Sequence, residues 1–524
     1  MSSPMVEAIL EAYRRGQEDE SLEPIIACRG SGEPVGRMSS GDYVIFYDIR
    51  GEREIEITRS LTEDGFSEFP VKNNTRLHFV TMIEYSSELP VRVAFPPEAE
   101  VKNTLPEVLS RAGWKICKVA ESEKAIHLSY FMNGKNEHSF PHEERVVIPS
   151  PKGFSTFAGK PEMSAAEVTD AVLSRLDGQG RQVIAANLAN VDVVGHTENK
   201  AAVIRAVETV DEQLGRLVSG CREKGVTMLV TADHGSVEEW LYPDGQINTG
   251  HTSNPVPLIL ADFSQEHHPG LRREGELPGV APTVLDLLGI PKPEEMTGES
   301  LLAGHSGVSG QRNNLLLLIL DGWGLRPKKN GNLIYKAKTP NFDAIWKNFP
   351  HSRLKASGEA VGMPPGTVGN SESGHLHLGA GRRIFLDRVR IDRAIQDGSF
   401  MKNESFLWAM DEAKRNRKPL HLLGIVSHYS SHGTLDHLFA LLRLAKERGV
   451  KDVFVHSLIG RRGEKPESGA AYVEKVEETC RALTTGQVVT VMGRFWALDR
   501  EENWDRVEKA YKALVDGEGK TAEV

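Results

Sequence analysis

The apolar run Leu315-Leu-Leu-Leu-Ile-Leu320 is followed directly by Asp321-Gly-Trp-Gly324. Such a run of large aliphatic residues is typical of a strand buried on both faces of a parallel sheet. Two further apolar runs precede Asp192 and Asp233. The repeated pattern predicts an α/β fold in which three strands of one sheet each deliver an aspartate.

These three aspartates are expected to converge, because the ligand crevice of a doubly wound α/β sheet lies at the carboxyl ends of its strands. A single aspartate at such a position is more often a helix cap or a turn residue. Three histidines accompany them: His196, His234 and His251. Carboxylate and imidazole ligands together suit manganese, zinc or cobalt better than magnesium. The sequence therefore predicts a transition-metal site.

A glycine-rich stretch, Gly366-Thr-Val-Gly-Asn-Ser-Glu-Ser-Gly-His375, surrounds Ser371. The glycines allow a tight turn and close approach to an anion. The stretch does not fit the hydrolase elbow Gly-x-Ser-x-Gly, since Ser373 stands where the second glycine belongs. On this window alone, Ser371 is either a nucleophile activated by its surroundings or the cap of a following helix.

The composition is that of a globular protein, with 524 residues, 39% hydrophobic and 26% charged. The formal net charge of -10 argues against general binding to nucleic acid or to an anionic membrane. The four cysteines lie far apart, which suggests neither a disulfide framework nor a cysteine zinc site. Without a signal-peptide pattern or a membrane-spanning run, we expect a cytoplasmic protein.

Basic residues follow several predicted strands. The strand Tyr43–Tyr47 leads to Arg50 and Arg53, and a pair of arginines can grip a dianionic ligand through parallel hydrogen bonds. A solvated charged turn is the alternative. Arginines also follow two later strands: Arg461, Arg494 and Arg500. Lys124 suits either a phosphate contact or an exposed surface position.

Four segments in combination closely resemble the cofactor-independent phosphoglycerate mutases, which are relatives of alkaline phosphatase. They are Gly369–His375, Thr231–Gly235, Asp192–His196 and His251–Pro257. The resemblance implies an α/β protein of two domains. An alkaline-phosphatase-like, metal-binding domain with a parallel-sheet sandwich would occupy residues 99–385. A smaller α/β transferase domain that binds substrate would be split between residues 1–98 and 386–524.

The resemblance also implies an activity. The family interconverts 3-phosphoglycerate and 2-phosphoglycerate in glycolysis and gluconeogenesis, through a phosphoserine and without bisphosphoglycerate. Two divalent ions are expected, manganese first, with zinc or cobalt as alternatives. The only expected partner is the phosphoglycerate substrate, with no nucleic acid and no membrane, and the protein is expected to be a monomer.

The family's functional positions carry over to residues of this chain. One metal would be held by Asp192, His196 and His251, and the other by Asp233, His234, Asp321 and the hydroxyl of Ser371. The catalytic positions match Ser371, Lys124, His432 and Arg461. The substrate-binding positions match Arg50, Arg53, Arg494 and Arg500.

The chain departs from the family in order and at two motifs. Family members begin with the strand found here before Asp321, so the resemblance implies a circular permutation whose junction lies near residues 303–314. The family's Asp-Gly-Arg-Asp is Ile459-Gly-Arg-Arg462, and its Asp-Gly-Gly-Val is His428-Tyr-Ser-Ser431. The alternative function is therefore a metal-dependent phosphatase, or a mutase acting on a different phosphorylated acid.

Overall fold

The structure is a computed structural model. It describes residues 3–72, 76–97, 101–154, 156–176, 180–242, 244–264, 269–304, 312–428, 430–460, 465 and 467–524. The chain divides into two compact units. Unit 1 comprises Met1–Pro97 and Asp387–Val524, and unit 2 comprises Glu98–Leu386.

Strands are numbered along the chain. Within the described residues they are β1 (Ile25–Cys28), β2 (Tyr43–Phe46), β3 (His78–Ile83), β4 (Arg92–Phe95), β5 (Lys115–Glu121), β6 (Glu143–Ile148), β7 (Gln182–Leu188), β8 (Thr227–Thr231), β9 (Val256–Asp262), β10 (Glu274–Glu276), β11 (Asn314–Leu320), β12 (His351–Lys355), β13 (Leu420–Ile425), β14 (Val453–Ile459), β15 (Gln487–Gly493) and β16 (Lys520–Glu523).

The α-helices in the same residues are α1 (Pro4–Arg14), α2 (Ile55–Thr62), α3 (Leu105–Arg111), α4 (Ala165–Leu173), α5 (Asn190–Gly195), α6 (Lys200–Lys224), α7 (Val280–Leu288), α8 (Leu333–Lys336), α9 (Pro340–Asn348), α10 (Ser371–Ala380), α11 (Asp387–Asp397), α12 (Glu404–Asn416), α13 (Leu435–Arg448), α14 (Gly469–Leu483), α15 (Arg494–Ala497) and α16 (Trp504–Tyr511). None of the described helices is long and apolar enough to cross a membrane.

Unit 2 is built on an eight-stranded sheet in the order β10-β12-β9-β8-β11-β7-β5-β6. The neighbours β8, β11, β7 and β5 run parallel, whereas β9 is antiparallel to both β8 and β12. The predicted strand Leu315–Leu320 is the central β11, and every one of its side chains is buried. Because β7, β11 and β8 are parallel neighbours, their carboxyl ends lie side by side at one edge.

Unit 1 has its own eight-stranded sheet in the order β16-β1-β15-β14-β13-β2-β3-β4. All neighbouring pairs are parallel except β1 with β15. Apolar faces of α1, α12, α13 and α14 pack into the core of this unit. The predicted α/β class is thus confirmed, with two large, mostly parallel sheets and helices.

The mostly polar and charged residues 518–524 carry no strand pattern, yet four of them form a strand. Lys520–Glu523 forms β16, which pairs in parallel with Ile25–Cys28. Charged residues are common on an edge strand, because one side of that strand faces water rather than a neighbour. Only Ala522 is buried in this strand, so no apolar run marked it.

Candidate functional site

Ser371 is the first residue of α10, and it is only 7% exposed. The helix cap is the preceding residue, because the side chain of Asn370 accepts a hydrogen bond of 2.8 Å from the Ser373 backbone N–H. The alternative that Ser371 is itself a cap is therefore wrong. Its hydroxyl is free to face the carboxyl edge of the sheet of unit 2.

Glycine at 374 allows α10 to approach the end of β8. A Cβ atom at this position would lie 2.6 Å from the backbone oxygen of Asp233 and 2.7 Å from its Cβ. Contacts this short do not occur between real atoms, so any larger residue would push the helix away. The glycine noted in the sequence thus brings Ser371 beside the aspartate that follows β8.

The Ser371 hydroxyl has three polar neighbours from distant parts of the chain. Lys124 Nζ lies 2.7 Å from Ser371 Oγ, and His234 Nε2 lies 3.0 Å away. Asp321 Oδ1 is a longer acceptor at 3.4 Å. The structure therefore brings a cation, an imidazole and a carboxylate to one alcohol, which is the environment that makes a serine nucleophilic.

Lys124 is buried and bridges two of the three strand-end aspartates. Its Nζ lies 2.7 Å from Asp192 Oδ2 and 2.8 Å from Asp321 Oδ1. Burial acts to lower the pKa of Lys124, but the surrounding carboxylates, Asp321 first, outweigh burial and raise this pKa above its ordinary value. Lys124 is therefore a permanent cation in the site, and the surface alternative for it is wrong.

Three imidazoles surround Asp192. The distances from Asp192 Oδ1 are 3.1 Å to His251 Nε2, 3.4 Å to His196 Nε2 and 3.7 Å to His234 Nε2. His196 lies at the end of α5, four residues after Asp192, and this spacing brings the two side chains to one side of the helix. The predicted set Asp192, His196 and His251 thus lies together.

The outer nitrogens of these rings point to backbone oxygens. His196 Nδ1 lies 2.8 Å from the oxygen of Thr249, and His251 Nδ1 lies 2.8 Å from that of Gly369. Since a carbonyl can only accept, Nδ1 carries the proton and Nε2 keeps a free lone pair. Metal-ligating histidines are usually fixed in this way.

The second predicted set is centred on His234. Its Nε2 lies 3.5 Å from Asp233 Oδ2 and 3.6 Å from Asp321 Oδ1. Burial, followed by the charge of Asp233, raises the pKa of Asp321. Carboxylates so close repel one another unless cations lie between them.

These residues fit divalent metal ions. Nitrogen and oxygen ligands about 2.1 Å from one ion lie about 3 to 3.5 Å apart, which is close to the spacing around Asp192. In addition, Asp192 Oδ1 and Asp233 Oδ2 are buried without a hydrogen-bond donor among the described residues. A cation would satisfy both oxygens.

Sequence reasoning missed two residues of the site, His375 and Asn187. His375 Nδ1 lies 2.9 Å from the backbone oxygen of Ser371 and 3.3 Å from Asp233 Oδ2. Asn187 donates to Asp321 Oδ2 over 2.7 Å and lies 3.0 Å from His375 Nε2. Both orient site residues. An asparagine inside the apolar run of β7 from Val183 to Leu188 was the available signal for Asn187.

The predicted substrate residues of unit 1 form a second group. Arg50 and Arg500 share Glu52, at 3.3 and 2.9 Å. Arg494 pairs with Glu20 over 2.9 Å, and Arg53 Nη1 donates to the backbone oxygen of Leu498 over 3.3 Å.

His432 is buried against Glu54. Arg461 and Arg462 lie outside the described residues, as does Tyr429.

A buried serine among carboxylate and imidazole ligands, at the carboxyl edge of a parallel sheet, defines an α/β metalloenzyme. The chain belongs to the metalloenzyme superfamily, whose family model matches residues 13–292. A second family model, described as the N-terminus of the bisphosphoglycerate-independent phosphoglycerate mutases, matches residues 391–524. The resemblance to these mutases, read from the motifs, is thus confirmed.

Relatives named 2,3-bisphosphoglycerate-independent phosphoglycerate mutase include proteins of Moorella thermoacetica and Methanococcoides burtonii. They are 46% and 43% identical to this chain over 302 and 301 residues, and each match covers 57% of both proteins. The matched part is thus little more than half the length of these relatives. A crystal structure of Leishmania mexicana phosphoglycerate mutase at low cobalt concentration matches 53% of each chain, with 29% identity and a TM-score of 0.37.

Proposed function

We propose that this chain interconverts 3-phosphoglycerate and 2-phosphoglycerate through a phosphoserine at Ser371. One observation carries the proposal: Ser371 Oγ lies 2.7 Å from Lys124 Nζ and 3.0 Å from His234 Nε2, in a buried group of metal-ligand side chains. The names and sequences of the relatives support the same activity.

The proposed chemistry takes place in two symmetrical exchanges at Ser371. Its Oγ forms a bond to phosphorus while the bond from phosphorus to the substrate oxygen breaks, and the serine proton ends on the departing oxygen. The other glycerate hydroxyl then reverses the exchange. Lys124 holds the phosphoryl oxygens, and the N-terminus of α10 adds backbone N–H groups that favour the phosphoserine.

The metal ligands in this proposal are the predicted ones: Asp192, His196 and His251 for one ion, and Asp233, His234, Asp321 and Ser371 for the other. When bound, two divalent ions would lower the pKa of the Ser371 hydroxyl and neutralise the charge of the transferring group. The donor set suits manganese, zinc or cobalt, and the resemblance to the mutase family puts manganese first.

The basic group of unit 1 is proposed to hold glycerate by its carboxylate and phosphate. It consists of Arg50, Arg53, Arg494 and Arg500, with His432 and Arg461 at the hydroxyls. Guanidinium groups suit both anions, because each can donate two parallel hydrogen bonds. No bisphosphoglycerate is required, since the phosphoryl group returns to the molecule from which it came.

The domain roles and the order of segments belong to the same proposal. Compact unit 2 supports a metal-binding role for residues 99–385, and unit 1 supports a substrate-binding role for 1–98 plus 386–524. Circular permutation is supported by the family model of an N-terminal region, which matches residues 391–524 rather than the start of this chain. A cytoplasmic location and a monomeric state stay predictions.

The test is a coupled assay with 3-phosphoglycerate, with and without added manganese and without bisphosphoglycerate. We expect manganese-dependent formation of 2-phosphoglycerate. Release of inorganic phosphate is measured in parallel, because it is the product of the alternative, a metal-dependent phosphatase. Phosphate as the main product would reject the mutase, and a substrate panel of phosphorylated hydroxy acids would then identify the preferred acid.

The matched variants are Ser371→Ala and Ser373→Ala. Ser371→Ala should lower turnover at least about 10⁴-fold and abolish labelling by substrate phosphate. Ser373 donates to the backbone oxygen of Val361 over 2.7 Å. Ser373→Ala should therefore lower turnover only a few-fold. Equal activity in the two variants would remove Ser371 from the mechanism.

A further inference from the structure

Unit 1 holds a second buried group of titratable side chains: Asp48, Glu54 and His432. Their exposed fractions are 0%, 0% and 1%, and their oxygens and ring nitrogen lie within 4.8 Å of one another. His432 Nδ1 lies 2.5 Å from Glu54 Oε1. Of the three residues, only His432 matches a functional position of the mutase family, and the roles of both carboxyl groups stay unexplained.

The backbone fixes the geometry of this group. The Ile49 N–H donates to the backbone oxygen of His432 over 2.6 Å, which ties the loop after β13 to the loop after β2. Asp48 Oδ1 accepts from the Ile425 N–H over 2.7 Å, and Glu54 Oε2 accepts from the Arg53 N–H over 3.0 Å. The three side chains are therefore held in place.

The two carboxyl groups need one shared proton. Asp48 Oδ2 is buried and has no hydrogen-bond donor among the described residues, and the carboxyl group that lies beside that of Asp48 belongs to Glu54. Two carboxylates cannot hydrogen-bond unless one of them is protonated. Glu54 already accepts from His432 and from the Arg53 N–H, so the proton belongs on Asp48. Burial, and then the charge of Glu54, raise the pKa of Asp48 in agreement with this.

The surrounding charges favour this arrangement over a third metal ion. Burial lowers the pKa of His432, and the charges of Arg494, Arg50 and Arg53 lower it further, whereas Asp48 acts to raise it. Three guanidinium groups would repel a divalent cation placed among them. Within the described part of the chain, Tyr47 and Tyr85 are further titratable neighbours, and their hydroxyls stay neutral because burial raises their pKa.

We propose that Asp48 and Glu54 are positioning residues that hold His432 as a neutral imidazole with its proton on Nδ1, which leaves Nε2 to exchange a proton with a substrate alcohol. Protonated Asp48 donates to the Glu54 carboxylate, and that carboxylate accepts from His432 Nδ1. The alcohol proton passes to Nε2 as the alcohol oxygen bonds to phosphorus and the bond from phosphorus to Ser371 Oγ breaks. The proton is then given up to the released Ser371 oxygen, which restores both the serine hydroxyl and the neutral imidazole. The inference rests on the proposed phosphoryl transfer between the hydroxyls of a phosphorylated hydroxy acid.

Three variants separate this role from simple packing. Glu54→Gln keeps the shape but removes the charge, and it should lower kcat about 10- to 100-fold with little change in KM. Asp48→Asn still offers a donor to Glu54, so it should lower kcat only about threefold. Asp48→Leu offers no donor and should lower kcat as much as Glu54→Gln does. Glu63→Gln, at an exposed position on the border of α2, is the matched control and should match the wild type.

The pH dependence of kcat/KM distinguishes the proposed role from a packing role, because a loss of packing alone would not shift it. A carboxylate beside an imidazole stabilises the imidazolium, so removing its charge lowers the pKa of His432. The acid limb of kcat/KM should therefore move to lower pH in Glu54→Gln, by about one unit. An unmoved limb, or equal losses in Asp48→Asn and Glu54→Gln, would overturn the proposal.

Two measurements do not depend on turnover. Nitrogen NMR of histidine-labelled protein, with the His432 signal assigned by its loss in His432→Gln, should show the Nδ1-protonated tautomer at neutral pH. Metal content should be equal in the wild type and Glu54→Gln, and loss of one equivalent would overturn the proposal in favour of a metal site. If the wild type forms no 2-phosphoglycerate, the proposed function fails, and the NMR result still decides the state of His432.

Discussion

Lys124 Nζ lies 2.7 Å from Ser371 Oγ, although the two residues are 247 positions apart in the sequence. The same ammonium group touches Asp192 and Asp321, so one side chain connects the proposed nucleophile to two of the predicted metal ligands. In the proposed reaction, this cation would lie where negative charge develops on the transferring phosphoryl group.

Replacing Lys124 by methionine should slow phosphoryl transfer about 10²- to 10³-fold, because a fixed positive charge is lost from the transition state. The variant should still bind metal, since all the predicted ligands remain. Turnover and metal content per chain are the measurements. Lys115→Met, at an exposed position on β5, is the control, and an equal loss of turnover in both variants would contradict the prediction.

Removal of divalent ions should both inactivate and destabilise the protein. Without cations, Asp192 Oδ1 and Asp233 Oδ2 are buried without donors. A free ion concentration about 1,000 times the dissociation constant adds about 4 kcal/mol to the free energy of unfolding. The melting temperature should therefore fall by about 5 to 10 °C on chelation. Adding manganese back should restore both the enzymatic activity and the melting temperature.

The matched pair for this prediction is Asp192→Asn and Asp286→Asn. Asp192 is shared by the three imidazoles, whereas Asp286 is exposed on α7. Only Asp192→Asn should make the melting temperature insensitive to chelator. A chelator effect of normal size in that variant would place the ions elsewhere.

The stability of the protein should depend on pH through Glu121. This carboxyl group is 1% exposed, and burial raises its pKa to about 7. The folded state therefore binds the proton more tightly than the unfolded chain, and the contribution to stability falls as pH rises from about 4.5 to 7. Glu121→Gln should accordingly stabilise the protein at pH 8 by about 2 to 3 kcal/mol.

Urea unfolding of Glu121→Gln at pH 4 and at pH 8 measures this effect. The difference from the wild type should vanish at pH 4, where the carboxyl group is protonated in both states. Glu123→Gln, two residues further along at an exposed position, should show no such difference at either pH. A stabilisation of equal size at both pH values would rule out titration as its cause.

The proposed junction of the circular permutation predicts tolerance of a chain break. Both sides of residues 305–311 are anchored to unit 2, since the Ala303 N–H donates to the oxygen of Gly270 and Arg312 pairs with Asp262 over 2.7 Å. When a protease site is inserted in this segment and cut, turnover should stay within about twofold of that of the uncut protein. Loss of β11 from the sheet, measured by hydrogen exchange, would contradict the prediction.

The sequence was sufficient for the α/β class and for the strands that carry the aspartates. The runs before Asp192, Asp233 and Asp321 are continuous and apolar, and the strands that they form are buried. That these strands are parallel neighbours could be inferred only from the chemistry at their ends, because the order β8-β11-β7 is a long-range property. A short polar strand such as β16 left no such pattern.

The residues around the site were harder to predict than the residues in it. His375 belongs to the quoted glycine-rich stretch, yet its contact with Asp233 depends on how closely α10 approaches β8. Asp48 and Glu54 looked like part of a solvated charged turn. Their burial follows from the pairing of β2 with β13, and these strands are more than 370 residues apart in the chain.

The position of β11 has a consequence for synthesis on the ribosome. The strands β7 and β8 do not pair with each other, since β11 lies between them. A nascent chain that has reached only residue 304 therefore carries two incomplete half-sheets with open edges, and such edges attract other chains. Unit 1 must wait still longer, because β2 and β1 need β13 and β15, which are translated only after residue 419. Chaperone demand during translation should be greatest before residue 320 emerges.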